Sequence, residues 1–497
     1  MTAADTRALL DLLDAWRSPT VLVVGDFMLD RQTFGNAERL SPDAPVPVLR
    51  VEREEHHPGG AANVCLQLAA LRCDVHGVGL VGDDPNGAVL RDALRQSGVH
   101  AEGLVSDPDR LTTVKQSLVG LAQHRHPQKM FRLDVETPRE LPPPIEARLF
   151  DAVAAMLPRT DVLCLEDYGK GVLSVGMCRR LIDAARERGV AVLIDPAARA
   201  DFSRYAGATC LTPNRTEAEL ATGHRASDDP TAWRTLGRQL QQELRLDTLV
   251  LTLDKQGAML FEGDTEPRLV PTRARSVYDV TGAGDAVLAM LAAAIGNGAP
   301  WPEAVALANA AAGLEVERFG VVPVGLDEVL LELLQQQGGE VGKLRDADAL
   351  TRELAAYRRQ GRSIGFTNGC FDVLHAGHVA YLRAAAQEAD LLVVAVNTDA
   401  SIRRLKGPDR PLNHQDDRLL VLSELESIDY LVLFDDDTPL DLIRAIEPDA
   451  LMKGADYQKH EVVGADVVEA SGGRVVLVPL VEGRSTTNLI ARARGDR

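Results

Sequence analysis

Positive charge is in deficit in this chain. Across 497 residues, 54 lysines and arginines stand against 73 aspartates and glutamates, a formal net charge of −19. A general nucleic-acid or anionic-membrane binder needs basic surface to neutralise phosphates, so this balance argues against both classes. It leaves room for a local basic pocket around a small phosphorylated molecule. Long apolar runs are missing too. The richest, AVLAMLAAAIG at 286–296, is shorter than a membrane span and reads as a buried helix. The opening MTAADTRALLDLLDAW has no basic start, apolar core or cleavage motif, so no secretory signal is expected. Cysteine is sparse. Cys65, Cys73, Cys164, Cys178, Cys210 and Cys370 show no CxxC spacing and lie mostly in apolar segments, which predicts reduced core residues in a cytosolic protein.

What remains is an ordinary globular composition, 45% hydrophobic and 26% charged. The length is too great for one core and predicts two or three domains. Short β-branched runs alternate with helical patterns. TVLVVGD (20–26), DVLCLED (161–167), VAVLIDP (190–196), DTLVLTLD (247–254), SIGFTNG (363–369), DLLVVAVN (390–397), DALMKGAD (449–456) and GRVVLVP (473–479) read as strands. Near-continuous apolar strands separated by helices predict an α/β protein with parallel sheets covered on both faces. QQQGGEVGK at 335–343 reads as a linker between domains at 1–334 and 344–497. No internal repeat is visible.

DVTGAGD (279–285) is a glycine-rich turn feeding an apolar helix. The first N–H groups of a helix lack intrahelical partners and point, with the dipole, at a bound anion. Gly282, Ala283 and Gly284 would let a phosphate approach the backbone, and Asp285 would sit beside it to accept a proton from an attacking hydroxyl. An Asp cap on an ordinary helix is the plain alternative. Three further stretches weigh against it. PGGAANV (58–64) brings Gly59, Gly60 and Asn63 before a helix. GDFMLD (25–30) ends a strand with Asp26 and Asp30, where open α/β sheets bind ligands. PNRTE (213–217) offers Asn214, Arg215, Thr216 and Glu217, whose oxygens suit Mg2+ or its water shell.

In this order the motifs resemble the ribokinase-like (PfkB) sugar kinases over residues 10–333, whose fold is an α/β/α sandwich with a small β lid. ERLSPDAPVPV (38–48), EDYGKGVL (166–173) and ANAAAGLEVERFG (308–320) are similar to the heptose 7-phosphate kinases within that family. The resemblance implies roles. Asp285 is the base for the anomeric hydroxyl, and Ala283 and Gly284 form the anion hole. Asp26, Asp30, Gly59, Gly60 and Asn63 surround the sugar. Asn214, Arg215, Thr216 and Glu217 act around Mg–ATP, Glu217 reaching the metal indirectly. Asn309 lies near adenine, and Lys115 and Lys170 are candidates for the 7-phosphate. Ser117 stands where the family pattern has an arginine.

TNGCFDVLHAGH (367–378) is a second helix-start device. His375, Gly377 and His378 fall at the turn and first helical residues, where two imidazoles can face one anion. Zinc chelation is an alternative, supported only by Asp372; a buried histidine pair fits poorly beside a glycine turn. Covalent phosphohistidine stays open on spacing alone. The stretch resembles the HxGH signature of cytidylyltransferase-like nucleotidyltransferases, over residues 360–492, a Rossmann-like α/β domain. That resemblance implies catalytic roles for His375, His378 and Lys406. It implies nucleotide contacts from Thr367, Asn368, Gly369, Phe371, Asp372, Gly377, Asn397, Asp399, Arg410 and Lys453, and from Ser485, Thr486 and Thr487 of EGRSTTNLI. KGADY (453–457) carries Ala455 where the family has glycine.

In this order the halves resemble a bacterial bifunctional family that joins heptose 7-phosphate kinase to heptose 1-phosphate adenylyltransferase on the route to the ADP-heptose of lipopolysaccharide core. That implies ATP and heptose phosphates as substrates, Mg2+ with ATP, a cytoplasmic enzyme and a homodimer. Another sugar kinase paired with a transferase for a different alcohol phosphate, or a scaffold of inactive domains, would share the architecture. Asp285, Glu217, His375, His378 and Lys406 are all present, which argues against inactive domains.

Overall fold

The computed structural model describes residues 3–121, 127–137, 139–225, 229–273, 281–318, 320–335 and 342–479. It divides into two compact units, Met1–Val329 and Leu330–Arg497. Most of the expected linker, residues 336–341, falls outside the described residues.

The first unit is built on a nine-stranded sheet. Its order is Arg268–Val270, Ala258–Glu262, Thr248–Thr252, Cys210–Leu211, Ala191–Asp195, Val162–Glu166, Thr20–Gly25, Asp74–Gly82 and His100–Asp107. The last seven strands are parallel, and the first two add an antiparallel edge. Val21, Leu22 and Val23 are fully buried, as are Leu163, Cys164 and Leu165 beside them. Burying each large aliphatic side chain contributes about 1.5–3 kcal/mol, so the unbroken β-branched runs set the centre of the sheet. From Thr20–Gly25 the chain builds outward on one side, then returns to build on the other from Val162–Glu166. That reversal places a crevice beyond the carboxyl ends of these two strands.

A four-stranded sheet, in the order Pro47–Gly60, Phe27–Leu40, Thr113–Gly120 and Gln128–Val135, forms the lid. Asp30 is therefore not at a strand end, as GDFMLD suggested. Thr20–Gly25 stops before Asp26, and the chain enters a long lid strand three residues before Asp30. The apolar helix expected at 286–296 runs Ala283–Gly296 and is buried from Asp285 to Ala294. It packs between the sheet and helices Ala61–Ala70 and Trp301–Glu315. A helix that is apolar all round requires such enclosure.

The second unit holds a six-stranded, wholly parallel sheet in the order Leu344–Arg345, Tyr430–Phe434, Leu391–Asn397, Ile364–Gly369, Ala450–Gly454 and Arg474–Val478. Alternate residues of one strand serve two cores. Leu391, Val393 and Ala395 join the cluster on one face, and Leu392, Val394 and Val396 the cluster on the other. The order reverses between Ile364–Gly369 and Ala450–Gly454, and the HxGH turn leaves the carboxyl end of the first.

Candidate active sites

In the first unit the crevice and the lid meet around Asp285. Gly282 caps the helix with φ 91°, and a Cβ there would lie 2.5 Å from Glu315 Oε1, so only glycine fits this turn. Asp285 occupies the third helical position. Its carboxylate is not a cap: it accepts from Asn63 Nδ2 at 2.6 Å and from the Tyr168 hydroxyl at 3.0 Å. Burial pushes this carboxyl up to about 6, against the pull of those two donors and Lys115. A base poised just below neutral pH is suited to taking a proton from a hydroxyl.

Asp285 opens onto a cavity of about 360 Å3 walled by lid residues and by Tyr168, Thr281, Gly282, Gly320 and Val321. Asp30, Lys115, Lys129 and Arg132 line it. Lys115 lies over the Tyr168 ring, 4.2 Å from its centroid, and burial lowers its ammonium, with Asp30 opposing the shift. Ser117, where an arginine was expected, pairs across the lid with Arg132, so a guanidinium reaches the same wall from the neighbouring strand.

Other expected sugar residues do different work. Asp26 is buried and its oxygens accept the backbone N–H groups of Tyr168 and Lys170 at 2.9 Å and of Val172 at 3.3 Å. It shapes the 168–172 loop and does not line the cavity. Lys170 is ion-paired with Glu136 and is also absent from the lining. Gly60, which does line the cavity, caps helix Ala61–Ala70 at φ 56° and lets Asp26 O and Met28 approach; Gly59 leaves room for the Asp30 carboxylate.

Asn214 and Glu217 form a reciprocal capping box: Asn214 Oδ1 accepts from Glu217 N at 2.9 Å and Glu217 Oε2 from Asn214 N at 2.8 Å. Arg215 pairs with Asp254 at 3.5 Å, and Thr216 sits in the same first helical turn. Asn309 donates to Val270 O at 2.9 Å. None of these five expected residues lines the Asp285 cavity.

The carboxylates gathered around Asp285 were not singled out from the sequence. One oxygen from each of Glu166, Asp195 and Asp285 lies within 4.8 Å of the others. Burial, then mutual repulsion, raises Glu166 and Asp195 well above the ordinary carboxylate range. Glu166 Oε2 is buried with no hydrogen-bond partner. Three convergent oxygens, one of them orphaned, fit a hard divalent cation. Glu217 stands beside this cluster, contributing to the shift of Asp195. Glu166 and Asp195 end strands Val162–Glu166 and Ala191–Asp195, so the strand-end rule applied to Asp26 would have found both.

In the second unit His375 is the N-cap of helix Ala376–Ala385, and its Nδ1 accepts from Gly377 N at 3.1 Å. This fixes Nδ1 as the unprotonated nitrogen. His378 stacks on it, with ring centroids 3.9 Å apart at 28°. Phe371, at φ 45°, lies 5.4 Å from the His378 ring. His378 Nδ1 is buried and has no partner. Burial, then His375 and Lys406, lowers this imidazole to about 4. His375 and His378 are thus drawn to one place, within reach of the Lys406 charge. Among the described residues no group of three metal-ligating side chains includes either histidine.

Beside them, Lys453 Nζ donates to Asn368 Oδ1 at 2.6 Å, and burial brings Lys453 down to about 8. Gly369 packs on the Phe371 ring, and Thr367 hydrogen-bonds Tyr381 at 2.7 Å. Asn397 donates to Ser401 at 3.0 Å. Two residues expected to contact nucleotide are engaged by protein groups. Asp372 is buried and holds Arg410, Leu412 N at 2.6 Å and Asn413 N at 3.1 Å. Asp399 is bound by Arg418 at 2.7 Å, and Arg418 also grips Cys370 O and Asn397 O. A carboxylate so engaged shapes the loop; a free one would repel a triphosphate. Ser485, Thr486 and Thr487 lie outside the described residues.

The geometry defines a class: a carbohydrate kinase followed by a nucleotidyltransferase. Residues 18–327 match the pfkB family carbohydrate kinase model and residues 366–478 the cytidylyltransferase-like model. The kinase fold is shared with phosphofructokinase-2 from Escherichia coli, at TM-score 0.53 and 16% identity over 64% of this chain and 98% of that one. Arabidopsis thaliana ribokinase complexed with ribose and ATP gives TM-score 0.52 and 20% identity over 64% and 99%. Over nearly its full length the chain is similar to proteins named bifunctional protein HldE. That of Geobacter sulfurreducens is 45% identical, covering 95% of both chains, and that of Syntrophotalea carbinolica 42%, covering 98% of both. Gluconobacter oxydans has another, 43% identical over 96% of this chain and 98% of that one. The chain belongs to this bifunctional HldE family, and is a heptose kinase and an adenylyltransferase in one polypeptide. ATP-using enzymes of both kinds generally need a divalent metal. No helix among the described residues is long and apolar enough to cross a membrane.

Proposed function

We propose that residues 1–334 phosphorylate D-glycero-β-D-manno-heptose 7-phosphate at C1 with ATP, and that residues 344–497 adenylylate D-glycero-β-D-manno-heptose 1-phosphate with ATP, releasing pyrophosphate and ADP-heptose. The observation that carries the first step is one cavity holding a buried base, Asp285, opposite three cations, Lys115, Lys129 and Arg132. The cations take the 7-phosphate and so turn C1 toward Asp285. Asp285 receives the proton of the anomeric hydroxyl, and that oxygen bonds to the γ-phosphorus as the bond to ADP breaks. The Ala283 and Gly284 N–H groups, without intrahelical partners, face the charge of the transferring group. Mg2+ is the cation we assign to Glu166 and Asp195, beside Asp285, where it would neutralise phosphate charge when bound.

The second step needs no base, because the sugar phosphate is already an anion. Its oxygen bonds to the α-phosphorus and pyrophosphate leaves. His375, His378 and Lys406 screen that charge, His378 entering neutral and able to donate from its open nitrogen. The two steps are not consecutive: the first product keeps its 7-phosphate, so a phosphatase must act between them.

The net charge of −19 supports small-molecule partners over nucleic acid, and we place the enzyme in the cytoplasm as a homodimer. Leu40 and Val51 on the lid are exposed apolar residues available to that contact. The test is substrate choice. The full chain should consume ATP and not CTP with heptose 1-phosphate. Preference for CTP, or for another alcohol phosphate, would overturn the transferase reading.

A further inference from the structure

Away from both sites, the first unit carries a cluster that neither reaction uses. Asp74 and His76, two apart on strand Asp74–Gly82, face the same way, and His100 opens the neighbouring edge strand directly opposite His76. Asp74 Oδ2 lies 3.4 Å from His76 Nε2, and Asp74 Oδ1 lies 3.2 Å from His100 Nε2. The imidazoles stack with centroids 4.3 Å apart and 12° between planes. One ligand atom from each of the three residues falls within 4.8 Å of the other two.

We propose that Asp74, His76 and His100 form a binding site for a divalent transition-metal ion, with zinc as the best fit. The donor set decides the class. Two imidazole nitrogens and one carboxylate oxygen suit Zn2+, Cu2+ or Ni2+, and are poor for Mg2+ or Ca2+, which take oxygen ligands. The spacing agrees. One donor atom from each residue already lies within 4.8 Å of the other two, so side-chain rotation can bring them to the separation of about 3.3 Å that metal–ligand bonds of about 2.0–2.1 Å require. Water would complete four ligands, and the half-exposed His100 side chain leaves a path for the ion.

The backbone supports the same reading. Strand pairing steps from His76 opposite His100 to Val78 opposite Gly103, which inserts one extra residue immediately after His100. Such bulges re-aim side chains. The Thr20 hydroxyl, 3.4 Å from Asp74 Oδ2, supplies a second partner that orients the carboxylate. The ion would tie the edge strand His100–Asp107 to its neighbour, at the border of the sheet where pairing is otherwise one-sided.

Equilibrium dialysis of the full-length, untagged, chelator-stripped chain against Zn2+ in excess Mg2+, with metal counted by mass spectrometry, tests this. Other histidines and thiols can also hold zinc, so the readout is the difference from the His76→Ala/His100→Ala double variant. The expected result is one zinc equivalent lost, with both enzymatic activities retained. His100→Gln, at the most exposed of the three positions, guards against misfolding. It should weaken that equivalent at least tenfold, since even outer-shell changes cost about 10–100-fold. Equal zinc content and affinity in wild type and variants would overturn the proposal, leaving an Asp hydrogen-bonded to two histidines. Cobalt substitution without tetrahedral absorption bands that depend on His76 and His100 would do the same.

Discussion

Replacing Asp285 by Asn removes one charge and almost no volume. Asp285 is buried but for its cavity-facing surface, so the near-isosteric change acts mainly on hydrogen bonds and proton affinity. In the native site both carboxylate oxygens accept, from Asn63 Nδ2 at 2.6 Å and Tyr168 at 3.0 Å. An amide has one oxygen, so one donor would face an NH2 group, at a cost of about 1–3 kcal/mol. Loss of repulsion with Glu166 and Asp195 offsets part of that. The variant should therefore fold, with a stability change within about 2 kcal/mol. Its kinase kcat should fall by about 10²–10⁴, the usual contribution of a positioned base. Wild-type kcat/KM should rise with pH through a midpoint near 6, because burial raises this carboxyl and only its charged form accepts a proton. At pH 7 about nine-tenths is charged and at pH 5 about one-tenth. Asp285→Asn should lack that limb, and its adenylyl transfer should match wild type. A coupled ADP-release assay across pH 5–8 reads all of this. A kinase loss below tenfold, or an unchanged acid limb, would refute the role of Asp285.

His378→Ala should lower adenylyl transfer by about 10²–10³, measured as pyrophosphate release, and leave kinase turnover unchanged. The wild-type His378 imidazole, lowered by burial to about 4, gains a proton on unfolding between about pH 4 and 6.5. Its contribution to stability is therefore complete above that window and lost as pH falls through it, which proton NMR of the ring and denaturant melts would show. Arg132→Ala should raise KM for heptose 7-phosphate by about tenfold, and have little effect on a sugar without the 7-phosphate. Gly282→Ala forces a Cβ toward Glu315 at φ 91° and should destabilise the first unit by about 1–3 kcal/mol, seen as a lower Tm.

Both helix-start turns were legible from sequence because each is local. A glycine turn and a helix start lie within about seven residues, and the anion cradle follows from backbone geometry. The apolar strands were legible for the same reason. What sequence reading missed was set by long-range pairing. Arg132 stands opposite Ser117 on the cavity wall because the two strands lie in register. Glu166 and Asp195 meet Asp285 because three elements far apart in sequence end at one crevice. Conversely Asp26, Lys170, Asp372 and Asp399 have site-like chemistry at site-like positions, yet their partners hold loops. Residue type and position alone do not distinguish a carboxylate that meets substrate from one that meets backbone N–H groups.

Phosphorus NMR of the full chain with ATP, Mg2+ and heptose 7-phosphate tests the central claim most directly. The account requires a new C1 phosphate resonance with stoichiometric ADP. After the 7-phosphate is removed enzymatically, the diphosphate resonances of ADP-heptose should appear with free pyrophosphate. ATP left intact beside heptose 7-phosphate, or a C1 phosphate that never becomes ADP-heptose, would contradict it.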